Sequence, residues 1–336
     1  MAIINGREID TNASPSAYGW VFQVGAGITL MLDNIKEFTS LKMEGASDDI
    51  EITVNNGKIY AQAKSVTQMG DQRSASHNLS ASLKLLESDS KNGDAIKLIY
   101  ITNIANPLSS NMSSAFQYEH VYDFSTLSEE DQNKITAQVG ADFPTDKFQV
   151  YILNFFGEGD NKFKNVKEKI SEFLREAIDD PSYNKRLLDS WFETFMVNCA
   201  DKPDKEKEVN LSKKSIVLPV IILVIETPLG VEEFSKVCNY EDYYEIEQDF
   251  RDIINRQECD YEFVAGVLGD FLCKKNQQTD QGPYKYTYVK DEWTRYEPYF
   301  EFVKDIEKKE ALIKFILLAI ITKRSKIDKI REAAKL

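Results

Sequence analysis

The chain has 336 residues, 42% of them hydrophobic and 29% charged, so it is long enough to bury a sizeable core and is not a disordered chain. A formal net charge of -14 and a pI near 4.8 exclude a general nucleic-acid coat protein, because phosphate binding needs a basic surface. Two histidines and four cysteines without a CxxC pair speak against a zinc hydrolase, a His-based triad and a disulfide framework.

The charge is unevenly spread. Residues 1–110 hold 9 Lys+Arg against 12 Asp+Glu, whereas the later residues hold 32 against 43. The N-terminal third is therefore the place to look for contact with DNA or RNA. Taken in chain order, Ser14 and Pro15 form a helix start. Ala17, Val21, Val24, Ile28, Met31, Ile35 and Phe38 then step by threes and fours, which predicts a helix with one buried face whose last turn can give way to the next strand. "EFTSLKMEG" reads as a strand ending at Glu44. Residues 48–54 and 58–65 read as two more strands, joined by a hairpin turn at Asn55, Asn56 and Gly57. "HNLSASLKLLESDSKNG" predicts a second helix, and "AIKLIYIT" (95–102) a strand covered on both faces.

Residues 103–147 read as a linker with short elements, and 148–155 as a further strand. Amphipathic helices are expected at 165–178 and 183–200, then a charged loop at 201–210. From residue 231 the pattern is mostly helical. The apolar runs 216–225 and 311–322 are shorter than the about 20 residues of a membrane span, and read as buried core. With no basic start followed by an apolar run, a cytoplasmic protein is expected. The aromatic segment 281–300 reads as a set of protein-interface anchors. The resulting division is an α/β domain over 1–150 and a mostly helical oligomerisation or partner-binding domain over 151–336.

The hairpin carries the chemistry. Alternate strand residues share a face, so Asp49 and Glu51 project together, as do Gln62 and Lys64 on the partner strand. Such a face is commonly a solvated one, with an ion pair between Lys64 and Glu51. It also suits phosphodiester hydrolysis. Asp49, the Gln62 side-chain oxygen, the Ala63 carbonyl and Glu44 at the end of the preceding strand are oxygen donors for a hydrated Mg2+ or Mn2+. Lys64 would orient the attacking water or stabilise charge on the phosphorane. Gln23 on the first helix, Asp48 and Glu51 form a second tier of candidates.

Asp49 followed by Gln62-x-Lys64 on the next strand, within the order helix, strand, strand, strand, helix, strand, resembles the PD-(D/E)xK nuclease superfamily. "GWVFQVGAGITL", "EGASDDIEI" and "YAQAKS" are similar to the double-stranded-DNA nuclease domains of bacterial antiphage effectors of the CBASS and Lamassu types. The resemblance covers residues 15–105. It departs from the superfamily pattern at Ser47-Asp48, which replaces Pro-Asp, and at Gln62, which replaces the second carboxylate. It implies a restriction-endonuclease-like core, a Mg2+ or Mn2+ cofactor and catalysis by Asp49, Gln62 and Lys64. The helical second part is similar in style to the short Lamassu nuclease subunit. That likeness implies an SMC-like ATPase partner that restrains the enzyme, and a homo-oligomer as the active form. The contrasting expectation is a non-catalytic interaction subunit with a degenerate nuclease fold.

Overall fold

The computed structural model describes residues 2–4, 7–9, 14–43, 49–109, 116–200, 209–227, 229–239, 243–255, 260–275 and 284–336. The chain divides into two compact units: Met1–Phe173 with Asn184–Lys213, and Leu174–Tyr183 with Lys214–Leu336.

In the first unit, β1 (Ala2–Ile4) and β2 (Arg7–Ile9) form a small antiparallel pair. Then follow α1 (Ser14–Asp33), β3 (Phe38–Met43), β4 (Ile50–Val54), β5 (Gly57–Lys64), α2 (Gln72–Asp89) and β6 (Ala95–Thr102), the order expected from the sequence. The first helix ends earlier than its apolar repeat. The Asn34 side chain bonds the Leu30 carbonyl at 2.7 Å and the turn 34–37 leads straight into β3, which takes Phe38 into the sheet. The second helix starts earlier than expected, because Asp71 accepts from the Ser74 amide and caps it.

The segment 103–147 is more structured than a linker. It contains β7 (His120–Asp123) and α3 (Glu129–Thr136), the latter capped by Ser128. β8 (Phe148–Ile152), α4 (Lys164–Ile178), α5 (Asn184–Ala200) and β9 (Val209–Ser212) follow. A boundary at residue 150 would cut through β8, which lies inside the sheet. β9 begins where only a charged loop was expected; its pairing with β3 gives it strand form. Residues 201–208 of that loop lie outside the described residues.

The seven-stranded sheet has the order β7-β8-β6-β5-β4-β3-β9. β5, β6 and β8 are mutually parallel, and the remaining pairs are antiparallel. Helices cover both faces. A Cβ added at Gly27 of α1 would meet Met43 Sδ at 3.2 Å and Leu41 at 3.6 Å, so α1 packs on the face that carries these residues and Ile50 and Ile52. On the other face Leu79, Leu83 and Leu86 of α2 cluster with Tyr60, Leu98, Tyr100, Val150 and Ile152. β5 and β6 are thus buried on both sides, which explains the apolar run in "AIKLIYIT".

The second unit is helical: α6 (Lys213–Ile225), α7 (Val231–Phe234), α8 (Tyr243–Asn255), α9 (Tyr261–Lys275), α10 (Tyr284–Glu292), α11 (Ile306–Thr322) and α12 (Arg324–Ala334). Every residue from Ala311 to Ile321 is buried, so α11 is the core helix. Phe315 takes the rings of Phe234, Tyr243 and Phe250 at 5.3, 5.9 and 4.9 Å. Lys314 is tolerated there because it pairs with Glu310 and lies over the Trp293 ring at 5.7 Å. The aromatic segment near 284–300 is partly core: Tyr288, Tyr296 and Phe300 are buried, whereas Tyr299 is exposed. Among the described residues no helix is long and apolar enough to cross a membrane.

Glu233 of α7 anchors α10. Burial alone would raise its pKa, but hydrogen bonds from Lys285, Lys236 and Tyr286 outweigh burial and hold it at about 2, against an ordinary 4.5. A lowered folded-state pKa adds stability above the unfolded value and loses it as pH falls through the folded one. Glu233→Gln is therefore expected to lower stability at neutral pH by roughly 1–3 kcal/mol. The difference from wild type should shrink from about pH 4.5 downward and vanish near pH 2. Thermal melts of both proteins across that range measure it; a gap that widens in acid would refute the assignment.

Candidate active site

The site forms at the end of β4 and β5. Ile50 pairs with Ala61 and Glu51 with Tyr60. Strand alternation then places Asp49, Glu51, Tyr60, Gln62 and Lys64 on one face, with Asp49 across from Gln62. The paired arms face each other as the sequence pattern required. β6 extends the surface, since Gln62 pairs with Tyr100 and Lys64 with Thr102.

Asp49 and Lys64 are joined directly. Lys64 Nζ lies 2.9 Å from Asp49 Oδ1 and 2.8 Å from Oδ2, and the Ala63 amide donates to Oδ2 at 2.8 Å. The last bond has a simple cause. The β4–β5 ladder ends at Ile50 and Ala61, and the carboxylate takes over the next amide of β5. Asp49 and Lys64 side chains are 13% and 29% exposed, so both reach solvent. Gln62 is fully buried between Tyr60 and Lys64. Tyr100, also fully buried, has its phenol pKa pushed up by burial.

The expected pair of Lys64 with Glu51 does not form. Glu51 pairs instead with Lys58 at 3.2 Å, and Lys58 also reaches Asp94 at 3.3 Å. The reason is register: Lys58 sits diagonally from Glu51, whereas Lys64 lies beyond the other end of the ladder, beside Asp49. Lys42 is the direct β3 partner of Glu51. Lys42 and Lys58 therefore share the Asp49 and Lys64 face. Sequence reasoning passed over both; their even spacing from Lys64 along β5, and across the register to β3, was the available signal. Gln23 is half-buried on α1, one turn before Gly27 and on the same side of the helix. α1 packs on the face opposite the one that carries Asp49, Gln62 and Lys64. Glu44 and Asp48 lie outside the described residues.

A second set of residues fixes the strand ends. Asn103, fully buried just after β6, accepts from the Val66 amide at 2.8 Å and donates to the Val66 carbonyl at 2.8 Å and the Tyr18 hydroxyl at 3.2 Å. Tyr18 in turn donates to the Phe155 carbonyl at 2.7 Å. Val66 is packed with Ala75 and Ile104.

The donor set bears on a metal. Among the described residues no group of three His, Cys, Asp or Glu side chains could hold one. Mg2+ needs fewer: one or two carboxylates, with waters and substrate phosphates completing the octahedron. Asp49 Oδ1 meets Lys64 alone and keeps a further lone pair, whereas Oδ2 takes both Lys64 and the Ala63 amide. Asp49, with Gln62 across the strand pair and Ala63 bound to it through its amide, is compatible with such a hydrated ion.

No family model and no curated protein matches the chain. Among solved structures, it is similar to the Acinetobacter baumannii Cap4 SAVED/CARF-domain containing receptor with the cyclic trinucleotide 2'3'3'-cAAA. The TM-score is 0.38 and the identity 13%, over 60% of this chain and 44% of that one. This chain thus covers less than half of that receptor's length.

Proposed function

We propose that the chain is a metal-dependent endonuclease acting on double-stranded DNA, an effector of bacterial antiphage defence. The observation that carries this reading is the joined Asp49 and Lys64, with Gln62 on the same face, at the ends of adjacent strands. The flanking order of helix, three strands, helix and strand supports a restriction-endonuclease-like core. The defence role rests on the likeness of residues 15–105 to antiphage nuclease domains.

In this reading Asp49, Gln62 and the Ala63 carbonyl hold Mg2+ or Mn2+. The bound ion supplies Lewis-acid polarisation of the scissile phosphate and a more acidic water. Lys64 donates to the water or to the negative charge that grows on the phosphorane. With few basic residues near the site, and Lys58 held by Glu51 and Asp94, binding through phosphates is expected to be weak, salt-sensitive and independent of sequence. We further propose that a partner, of the SMC-like ATPase kind, restrains the subunit, and that a homo-oligomer is the active form. One site of this type cuts one strand, so a double-strand break needs two.

The test is plasmid cleavage by the purified protein over a range of concentrations sized in parallel. Cleavage should require Mg2+ or Mn2+, stop in chelator and rise faster than linearly with concentration. Cleavage that survives full chelation would overturn the metal assignment, and full specific activity in a dilute monomer would overturn the assembly. The second reading, a non-catalytic subunit with a degenerate fold, is favoured by Gln62 standing where a second carboxylate is expected. It predicts no cleavage with either metal.

A further inference from the structure

We propose that Asn103 is a positioning residue: it locks the end of β5 so that Lys64 and Asp49 keep their geometry. This inference rests on the endonuclease reading above. The β5–β6 ladder ends with the pair Lys64 and Thr102. Immediately beyond it, the chain of β5 must leave the sheet for the loop 65–71, and Lys64 would otherwise sit on a fraying end. Asn103 prevents this. Its side-chain amide bonds both the amide and the carbonyl of Val66, at 2.8 Å each, and so replaces the next rungs of the sheet. Tyr18 holds that amide in place by accepting from it at 3.2 Å, while donating to the Phe155 carbonyl just past β8. The exits of β5, β6 and β8 and the start of α1 are thereby tied together within two residues of Lys64. Asn103 is fully buried and touches neither Asp49 nor Lys64 directly in this network. Its effect passes through the backbone of residues 64–66. A displacement of about 1 Å at a reacting group is worth up to about 100-fold in rate.

The experiment compares wild type, Lys64→Ala, Asn103→Ala and Tyr18→Phe in plasmid cleavage with Mg2+. Circular dichroism and melting temperature are read on each. The expected result for Asn103→Ala is kcat lowered by about 10- to 100-fold with KM within about threefold of wild type. Tyr18→Phe should show the same pattern, more weakly, and stays informative where Asn103→Ala does not fold. Hydrogen exchange of residues 62–66 should quicken in both, while α2 and β6 stay protected. Wild-type-like kcat in a folded Asn103→Ala protein, or in Tyr18→Phe where the former fails to fold, would overturn the inference. So would a loss of rate carried by KM alone. Wild type inactive on every duplex sinks the endonuclease reading itself, and this inference with it; an active wild type with a dead Lys64→Ala and unaffected Asn103 and Tyr18 variants sinks this inference alone.

Discussion

Lys64→Ala is expected to lower plasmid cleavage by at least about 100-fold, the cost typical of removing one preorganised group from a developing charge. Its fold should survive. The Lys64 side chain is 29% exposed and its partner Asp49 keeps the Ala63 amide, so the change leaves one partly solvated carboxylate rather than a buried orphan. Asp49→Ala should be equally inactive but costlier to stability, since the Ala63 amide loses its acceptor; roughly 1–3 kcal/mol is the usual penalty. Asp49→Asn separates the two effects. The amide oxygen still accepts from Ala63, while the charge that would hold a cation is gone. Rates on supercoiled plasmid, set beside melting temperatures, measure both. An active Lys64→Ala protein sinks the assignment of the site.

Gly57→Ala is expected to cost about 3–5 kcal/mol and to reduce cleavage along with stability. Gly57 has φ +149, a conformation L side chains rarely adopt. An added Cβ would lie 2.5 Å from the Asp94 carbonyl oxygen and 2.5 Å from Ile96 Cγ2. The carbonyl cannot simply swing away, because it accepts from the Lys58 amide at 2.8 Å. Relief must therefore come from shifting the hairpin, which sets the register of Asp49 against Gln62 and Lys64. Gly93→Ala is the control: a Cβ there meets nothing within 4 Å. Denaturant midpoints of the three proteins decide the matter. Equal destabilisation at both glycines would show that the contact at Gly57 is not the cause.

Local pattern made a good part of the first unit legible. The three- and four-residue steps from Ala17 onward marked α1, and the alternation on either side of Gly57 marked β4 and β5. The shared face of Asp49, Glu51, Gln62 and Lys64 follows from a period of two alone. What the sequence hid depends on which distant segments meet. "VNLS" has no strand signal beyond its neighbours, yet Val209–Ser212 becomes β9 because β3 offers an open edge. β7 is likewise a strand by virtue of β8. The capture of the Ala63 amide by Asp49 depends on where the ladder stops, and the choice of Lys58 over Lys64 as the partner of Glu51 on its register. Asn103 follows an apolar run as an ordinary strand-ending polar residue would; only the fold reveals that its amide grips Val66.

The pairing of β3 with β9 has a consequence for biosynthesis. Met43 meets Val209 and Ser40 meets Ser212, so the sheet's last strand is made long after its neighbour. At about 5–20 residues per second, β3 waits on the order of ten seconds during translation with an unpaired edge. Its residues Phe38, Leu41 and Met43 are apolar and bury completely in the finished unit. An exposed strand edge of this kind templates pairing with other chains. The nascent protein therefore presents β3 as the sheet's edge until residue 212 has left the ribosome, when β9 takes over as the edge strand. Truncated forms that end before β9 would keep the apolar β3 as that edge.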